Sequence, residues 1–386
     1  MYAAFAANDE MTSASYSGTG DLGGSCESQD ELFARAFDIL LEGIREYAFP
    51  GAAVAVTLKG QLVALKAAGH YTYDPSSPKV RPDCIWDLAS LTKVLATTAA
   101  GMVLYEGGIF TLEQPLAEVL PEFVSADASD ERRQRVTLRM LLTHSSGLPS
   151  YCRMFDTART PEELLASCYT VPLEADPGTR AEYSDIGFIL LGEALVRLSK
   201  RDLASFCAAN VFLPLGMNET AFRPRTELLP RIPPTGIHAA HPGRIIQGEV
   251  NDENAQVLGV RDPGHAGLFA PAIDVAKFAD CMLKDGAPIL RPETGAMFTK
   301  RETAPLGTSR ALGWDTPSKP SQSGKYFSPR SFGHLGFTGT SLWCDPERQL
   351  SITLLTNRTW PDRGSQLIKR IRPRFHDAVI ECMRLT

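Results

Sequence analysis

The chain lacks the marks of several protein classes. Its eight cysteines, at 26, 84, 152, 168, 207, 281, 344 and 382, include no Cys-x-x-Cys pair. That spacing points to neither a zinc site nor a disulfide framework, and free, mostly buried thiols are expected. No apolar run reaches the roughly 18 residues of a membrane span. The longest, 94–110, is broken by Thr97, Thr98, Glu106 and Gly107 and reads as a buried helix. Basic residues are not in excess: Lys+Arg 39 against Asp+Glu 45 gives a net charge of −6 with no long basic run, which argues against nucleic acid as a partner. Met1 to Ala7 has neither the basic start nor the long apolar centre of a secretion signal, so a cytoplasmic location is expected. Gly 31 and Pro 27 in 386 residues fall well short of the roughly 25–30% of low-complexity chains. What remains is an ordinary globular composition, 44% hydrophobic and 22% charged, long enough for two domains or one with an insertion.

Residues 8–29 are Ser-, Gly- and acid-rich with little to bury, and residues 1–29 are expected to form a disordered tail. From Asp30, a candidate helix cap, apolar residues Leu32, Phe33, Phe37, Leu40, Leu41 and Ile44 recur at helical spacing, and Pro50-Gly51 ends the segment. Runs 53–58 and 62–68 flank Lys59-Gly60-Gln61 as a hairpin. Helical spacing dominates 92–105, 137–142, 161–168 and 186–198. Five prolines between 223 and 243 make that stretch an irregular crossing. Strands return at 340–344 and 350–356, and 366–385 reads as a last helix despite Pro373. Strands at both ends with helices between them predict an α+β fold. An antiparallel sheet flanked by helices forms an α/β lobe (30–88 and 241–386), with an all-helical lobe inserted at 89–240 and a ligand cleft between them.

Ser90-Leu91-Thr92-Lys93 lies where the extended Ile85-Trp86-Asp87 meets an apolar helix. Positions i and i+3 share a helical face, so the lysine amine reaches the serine hydroxyl, and the helix N-terminus favours negative charge on Ser90. Ser76-Ser77-Pro78-Lys79 has the same spacing, but Pro78 breaks the shared face. His144 with Ser145 and Ser146 reads as a structural turn closing a helix, and His265 as a loop residue near the cleft. His238 and His241 stand three apart in a proline-rich loop with no evident third ligand, so no metal is expected.

Four segments, Trp86-Asp87-Leu88-Ala89-Ser90-Leu91-Thr92-Lys93, Leu141-Leu142-Thr143-His144-Ser145-Ser146-Gly147-Leu148-Pro149, Tyr183-Ser184-Asp185 and Gly333-His334-Leu335-Gly336-Phe337-Thr338-Gly339-Thr340, occur in an order and spacing that resembles the β-lactamase-related serine hydrolases. These are the superfamily of class C β-lactamases, low-molecular-weight penicillin-binding proteins and related esterases, and the similarity covers about residues 31–386. Asn251-Asp252-Glu253-Asn254-Ala255 and Gly264-His265-Ala266-Gly267-Leu268-Phe269 look like a cell-wall-associated subgroup. The resemblance implies that Ser90 is an acyl-accepting nucleophile activated by Lys93 and Tyr183. Burial or a neighbouring cation would free Lys93 as a base, and positive charge would bring Tyr183 towards phenolate. It further implies an oxyanion hole from the amides of Ser90 and Phe337, a His334 that donates a hydrogen bond or carries partial positive charge, and a Gly336 that lets the strand edge approach substrate.

Two positions depart from the family pattern. Asp185 stands where an asparagine is frequent and only accepts hydrogen bonds, though it has a charge to pair with Lys93; Leu335 lacks the hydroxyl common in the third motif. Both argue against efficient β-lactam hydrolysis and place a carboxylic ester ahead of a D-amino-acid peptide as the small-molecule substrate. Arg358 is a candidate anchor for a substrate carboxylate. No cofactor is expected. A non-catalytic binding or scaffold protein of the same fold is the alternative.

Overall fold

The computed structural model describes residues 11–13, 22–238 and 243–385. Among these residues the strands are β1 (Thr12–Ser13), β2 (Gly51–Leu58), β3 (Gln61–Gly69), β4 (Ile85–Asp87), β5 (Gly236–Ile237), β6 (Ile245–Ile246), β7 (Phe269–Pro271), β8 (Phe332–Leu335), β9 (Ser341–Asp345) and β10 (Leu350–Thr356). Six form one antiparallel sheet in the order β1-β3-β2-β10-β9-β8, drawn from both ends of the chain. The expected α+β architecture is present. Lys59 and Gly60 both take positive φ, the left-handed pair that a two-residue hairpin turn between β2 and β3 requires.

Both faces of the sheet are covered, so its central strands β2 and β10 are almost wholly buried. Val54, Val56, Ile352 and Leu354 face the helices Ala34–Arg45 and Ile368–Cys382. Their neighbours Ala53, Ala55 and Leu355 join the larger core with helix Ala272–Leu283. That core continues through the helices between residues 99 and 212. Several of these start at side-chain caps legible in the sequence: Thr137, Thr160 and Ser184 accept from the amides of Met140, Glu163 and Gly187.

Two expectations change. Where the N-terminal segment is described it is ordered rather than a disordered tail: Thr12 and Ser13 pair with Ala67 and Lys66, and Leu22 is buried. The alternation of Ser and Gly hid the few residues that dock; residues 1–10 and 14–21 lie outside the described residues, as does His241. Asp30 does not cap the first helix but lies inside Gln29–Leu32, where its carboxylate pairs with the buried ammonium of Lys66. The chain breaks at Phe33 before the main helix begins.

Candidate active site

Ser90 sits on a tight 3-10 turn, Ala89–Leu91, directly after β4, and the chain then enters a wide π turn, Lys93–Thr98. The turn is held from three sides. Asp87 accepts the amides of Ala89 (2.8 Å) and Asn251 (2.7 Å), the hydroxyls of Thr338 and Thr340 donate to the carbonyls of Asp87 and Leu88, and the Leu88 amide donates to Leu268. Ala89 takes a left-handed φ of 47°, a conformation tolerated because these bonds fix both flanks. Burial pushes the Asp87 carboxyl up to about 6, despite its two amide donors.

The sequence-predicted residues converge. Lys93 Nζ lies 3.1 Å from Ser90 Oγ, 2.6 Å from Asp185 Oδ1 and 2.9 Å from the carbonyl of His265, so all three ammonium protons have acceptors. The Tyr183 hydroxyl lies 2.7 Å from Ser90 Oγ and 3.1 Å from Asp185 Oδ1. Tyr183 and Asp185 are positioned by Ser184 between them, which caps helix Asp185–Ser199 and donates its hydroxyl to Pro149. His144 Nδ1 accepts the Ser184 amide at 3.0 Å, and its ring packs 4.8 Å from that of Tyr183, so the expected structural turn also supports the site.

Environment sorts the protons. Burial drives the Lys93 ammonium down, and Asp185 offsets this in part. Burial, reinforced by Asp185, drives the Tyr183 phenol well above its ordinary value. Both groups, one on either side of Ser90, are thus pushed towards neutrality. Sequence reasoning expected Tyr183 to approach phenolate. Positive charge from Arg310 is there, its guanidinium carbon 5.7 Å from the ring centre, but desolvation of a fully enclosed phenol outweighs it.

His334, on β8, also departs from expectation. Burial keeps its imidazole neutral, and Nδ1, 2.9 Å from the Leu335 carbonyl, must donate because a carbonyl only accepts. Nε2 is therefore an acceptor, buried without a partner, and not the donor or partial cation anticipated. Gly336 makes its close approach to the nucleophile turn: a Cβ there would lie 2.5 Å from the Leu88 carbonyl oxygen and nearer still to Thr340 Oγ1. Phe337 follows, with the Arg358 guanidinium stacked 4.6 Å from its ring centre and Arg358 Nε donating to its carbonyl at 2.7 Å. The Ser90 and Phe337 amides have no acceptor among the described residues. Ser90, Tyr183, Asp185, His265, His334 and Phe337 all line one cavity of about 680 Å³. Sequence reasoning missed Arg310 and the roles of Asp87 and of the Asp252 carboxylate, which lies 2.9 Å from His265 Nε2; both aspartates stand inside the motif segments, whereas Arg310 had no signal. No cluster of metal-ligating side chains occurs among the described residues.

The profile of the Beta-lactamase family matches residues 33–372, and the chain belongs to that family. It is 28% identical over 359 residues to an N-acetylmuramyl-L-alanine amidase of Bacillus subtilis, covering 84% of this chain and 80% of the relative. Identity is also 28%, over 347 residues, with a Salmonella agona protein named "Putative D-alanyl-D-alanine carboxypeptidase", covering 80% and 79%. Among solved structures, EstCE1, a hydrolase with promiscuous acyltransferase activity, superposes with a TM-score of 0.73 at 22% identity, covering 91% of this chain and 99% of that one. The enzyme class that family and relatives define is serine hydrolase.

Proposed function

We propose that the protein hydrolyses small carboxylic esters through an acyl-enzyme on Ser90, with D-amino-acid or other peptidoglycan-type peptides second and β-lactams weak or inert. The observation that carries this is the pair of contacts on one oxygen, Lys93 Nζ at 3.1 Å and Tyr183 Oη at 2.7 Å from Ser90 Oγ. A serine hydroxyl needs a base to become nucleophilic near neutral pH, and Lys93, whose ammonium burial disfavours, fills that role. Ser90 Oγ attacks the carbonyl carbon while its proton passes to Lys93. The oxyanion is met by the Ser90 and Phe337 amides, each worth about 3 kcal/mol in such sites. Tyr183, kept as a phenol, protonates the leaving oxygen and recovers its proton from Lys93. Water then repeats the sequence on the acyl-enzyme, and an alcohol or amine in its place gives acyl transfer.

Esters stand first because Asp185 offers only acceptors where an amide substrate needs a donor for its carbonyl, and Leu335 offers no hydroxyl. The peptide reading draws support from the names of the amidase and carboxypeptidase relatives. Turnover of p-nitrophenyl acetate and butyrate, with intact mass after a fluorophosphonate and after a penicillin, tests the proposal in wild type and Ser90→Ala. Expected are Ser90-dependent turnover and a phosphonate adduct without a penicillin adduct. Adducts with both restore the penicillin-binding reading. Turnover unchanged in Ser90→Ala refutes the mechanism, and no turnover or adduct at all favours a binding protein of the same fold.

A further inference from the structure

Of the three acceptors around Lys93 Nζ, two belong to the reacting groups, Ser90 Oγ and Asp185 Oδ1. The third is the His265 carbonyl at 2.9 Å, and it sets the direction of the base. A neutral amine has two N–H bonds and one lone pair. A carboxylate and a carbonyl only accept, so the N–H bonds go to Asp185 and His265, and the lone pair is left facing Ser90 Oγ, which has a proton to give. An amine that loses the carbonyl is free to turn.

Both flanks of that carbonyl are stapled to the helical turn that carries Lys93. Thr97 donates its hydroxyl to the Gly264 carbonyl at 2.6 Å, and Thr92 Oγ1 accepts the Leu268 amide at 3.0 Å. Gly264 is seated on helix Asp185–Ser199, where a Cβ would lie 2.4 Å from the Phe188 carbonyl oxygen. Between the staples the buried His265 ring reaches Asp252, with Nε2 2.9 Å from Oδ1, and Nε2 donates because a carboxylate only accepts. Asp252 is held in turn. The same oxygen accepts the Ala255 amide at 2.8 Å and caps helix Glu253–Leu258. On one side the Asn251 amide donates to Asp87, and on the other Asn254 binds the Cys152 carbonyl at 2.9 Å and the Phe155 amide at 3.1 Å. Burial opposes the Asp252 charge, but His265, the Ala255 amide and Lys93 hold the carboxyl below its usual range, so it stays an acceptor.

We propose that Asp252 and His265 act as one positioning arm for Lys93: the carboxylate fixes the ring, the ring fixes the carbonyl of its own residue, and the carbonyl aims the amine at Ser90. Two consecutive residues then hold both members of the reacting pair, Asn251 acting on Ser90 through Asp87 and Asp252 acting on Lys93 through His265. Neither Asp252 nor His265 has to touch substrate for this. The arm rests on the proposed role of Lys93 as base and adds the residues that orient it.

Wild type is compared with His265→Ala, Asp252→Ser, the two combined, and His265→Gln. Serine keeps a helix cap at 252 but is too short to reach the ring, and glutamine offers an N–H donor in place of Nε2. Active sites are counted as the fluorophosphonate adduct by intact mass, and kcat and KM for p-nitrophenyl butyrate are read per active site on the pH plateau above the acid limb. There the loss of the Asp252 charge, which favours the Lys93 ammonium, no longer enters the rate. Expected are a kcat lower by about tenfold or more in each of His265→Ala and Asp252→Ser, KM within about twofold, a double variant no slower than either single, and His265→Gln within about threefold of wild type. Two residues of one arm lose the same thing once, whereas independent contributions multiply. Wild-type kcat in either disrupting variant, losses that multiply in the double variant, or a His265→Gln as slow as His265→Ala overturns the proposal. Fewer active sites at unchanged kcat shows a purely structural role and overturns it too. Absent or Ser90-independent turnover in wild type fails the esterase reading itself, while Ser90-dependent turnover with wild-type kcat in His265→Ala fails the arm alone. Should His265→Ala not fold, Asp252→Ser is read against wild type in its place.

Discussion

Gly336→Ala tests whether the close contact between the third motif and the nucleophile turn sets the reaction geometry. A methyl group there would stand 2.5 Å from the Leu88 carbonyl oxygen, with Thr340 Oγ1 nearer still. Thr340 can rotate away, but only by giving up its 2.9 Å bond to that same carbonyl. The backbone oxygen cannot rotate, and ordinary carbon–oxygen contact at about 3.4 Å requires the two segments to part by about 0.9 Å. Ser90 is two residues from Leu88 and Phe337 is adjacent to the substitution, so the spacing of the two proposed oxyanion-hole amides changes by a similar amount. Misplacement of about 1 Å costs about 100-fold in rate, or about 2.7 kcal/mol of barrier, and overpacking costs a further ~1–3 kcal/mol of stability. Expected are kcat/KM for p-nitrophenyl butyrate lowered about 100-fold and a Tm lower by a few degrees, with near-UV circular dichroism still native. Gly101→Ala is the matched control. Gly101 lies in helix Ala99–Glu106, a Cβ there meets only Leu195 Cδ1 at 3.9 Å, and the exchange stabilises by about 0.5–1 kcal/mol with kinetics unchanged. Wild-type kinetics and Tm in Gly336→Ala would refute the reasoning.

Asp185→Asn removes the charge that most favours the Lys93 ammonium, so the free amine is reached at lower pH and the acid limb of the kcat/KM profile moves down. A limb that stays or moves up shows that Lys93 is not the base. Asp87, raised to about 6, binds its proton more tightly folded than unfolded, where carboxyls titrate near ~3.9. Its neutral burial is therefore fully realised below about pH 4, and about 3 kcal/mol of relative stability is lost as pH rises through 6. Urea midpoints at pH 4.5 and 7.5 should differ less in Asp87→Asn than in wild type; equal differences in both would mean the carboxyl is already ionised at the lower pH.

The readable part of this protein is local. β10 runs from Leu350 to Thr356, the bounds predicted from its run of β-forming residues. The helix starts at Thr160 and Ser184 follow from caps adjacent to the turns they serve. Ser90 and Lys93 are legible because a base three residues from a hydroxyl shares its helical face, whereas Tyr183, 93 residues from Ser90, is legible only through the family resemblance. The unread part is set by neighbours distant in the chain. Asp87 takes one of its two amide donors from Asn251, 164 residues on, and Lys93 takes an acceptor from His265, 172 residues on. The N-terminal edge strand is two residues long, and Thr12 pairs with Ala67 and Ser13 with Lys66, partners far along the chain.

Charge state lies furthest from the letters. His334 is a histidine in any reading, yet whether it donates or accepts towards the cleft depends on the Leu335 carbonyl beside Nδ1 and on the burial of the ring. The same holds for the exchange of asparagine for aspartate at 185. As a letter it reads as loss of an amide donor. In the structure its carboxylate lies 2.6 Å from Lys93 and 3.1 Å from the Tyr183 hydroxyl, so it raises the cost of deprotonating both. That leaves less free amine for the proposed base at a given pH but keeps the proposed leaving-group acid protonated across the neutral range. An ester, whose alkoxide leaves more readily than an amide nitrogen, needs less from the base and tolerates the trade; an amide, which needs both strong attack and prompt protonation, does not.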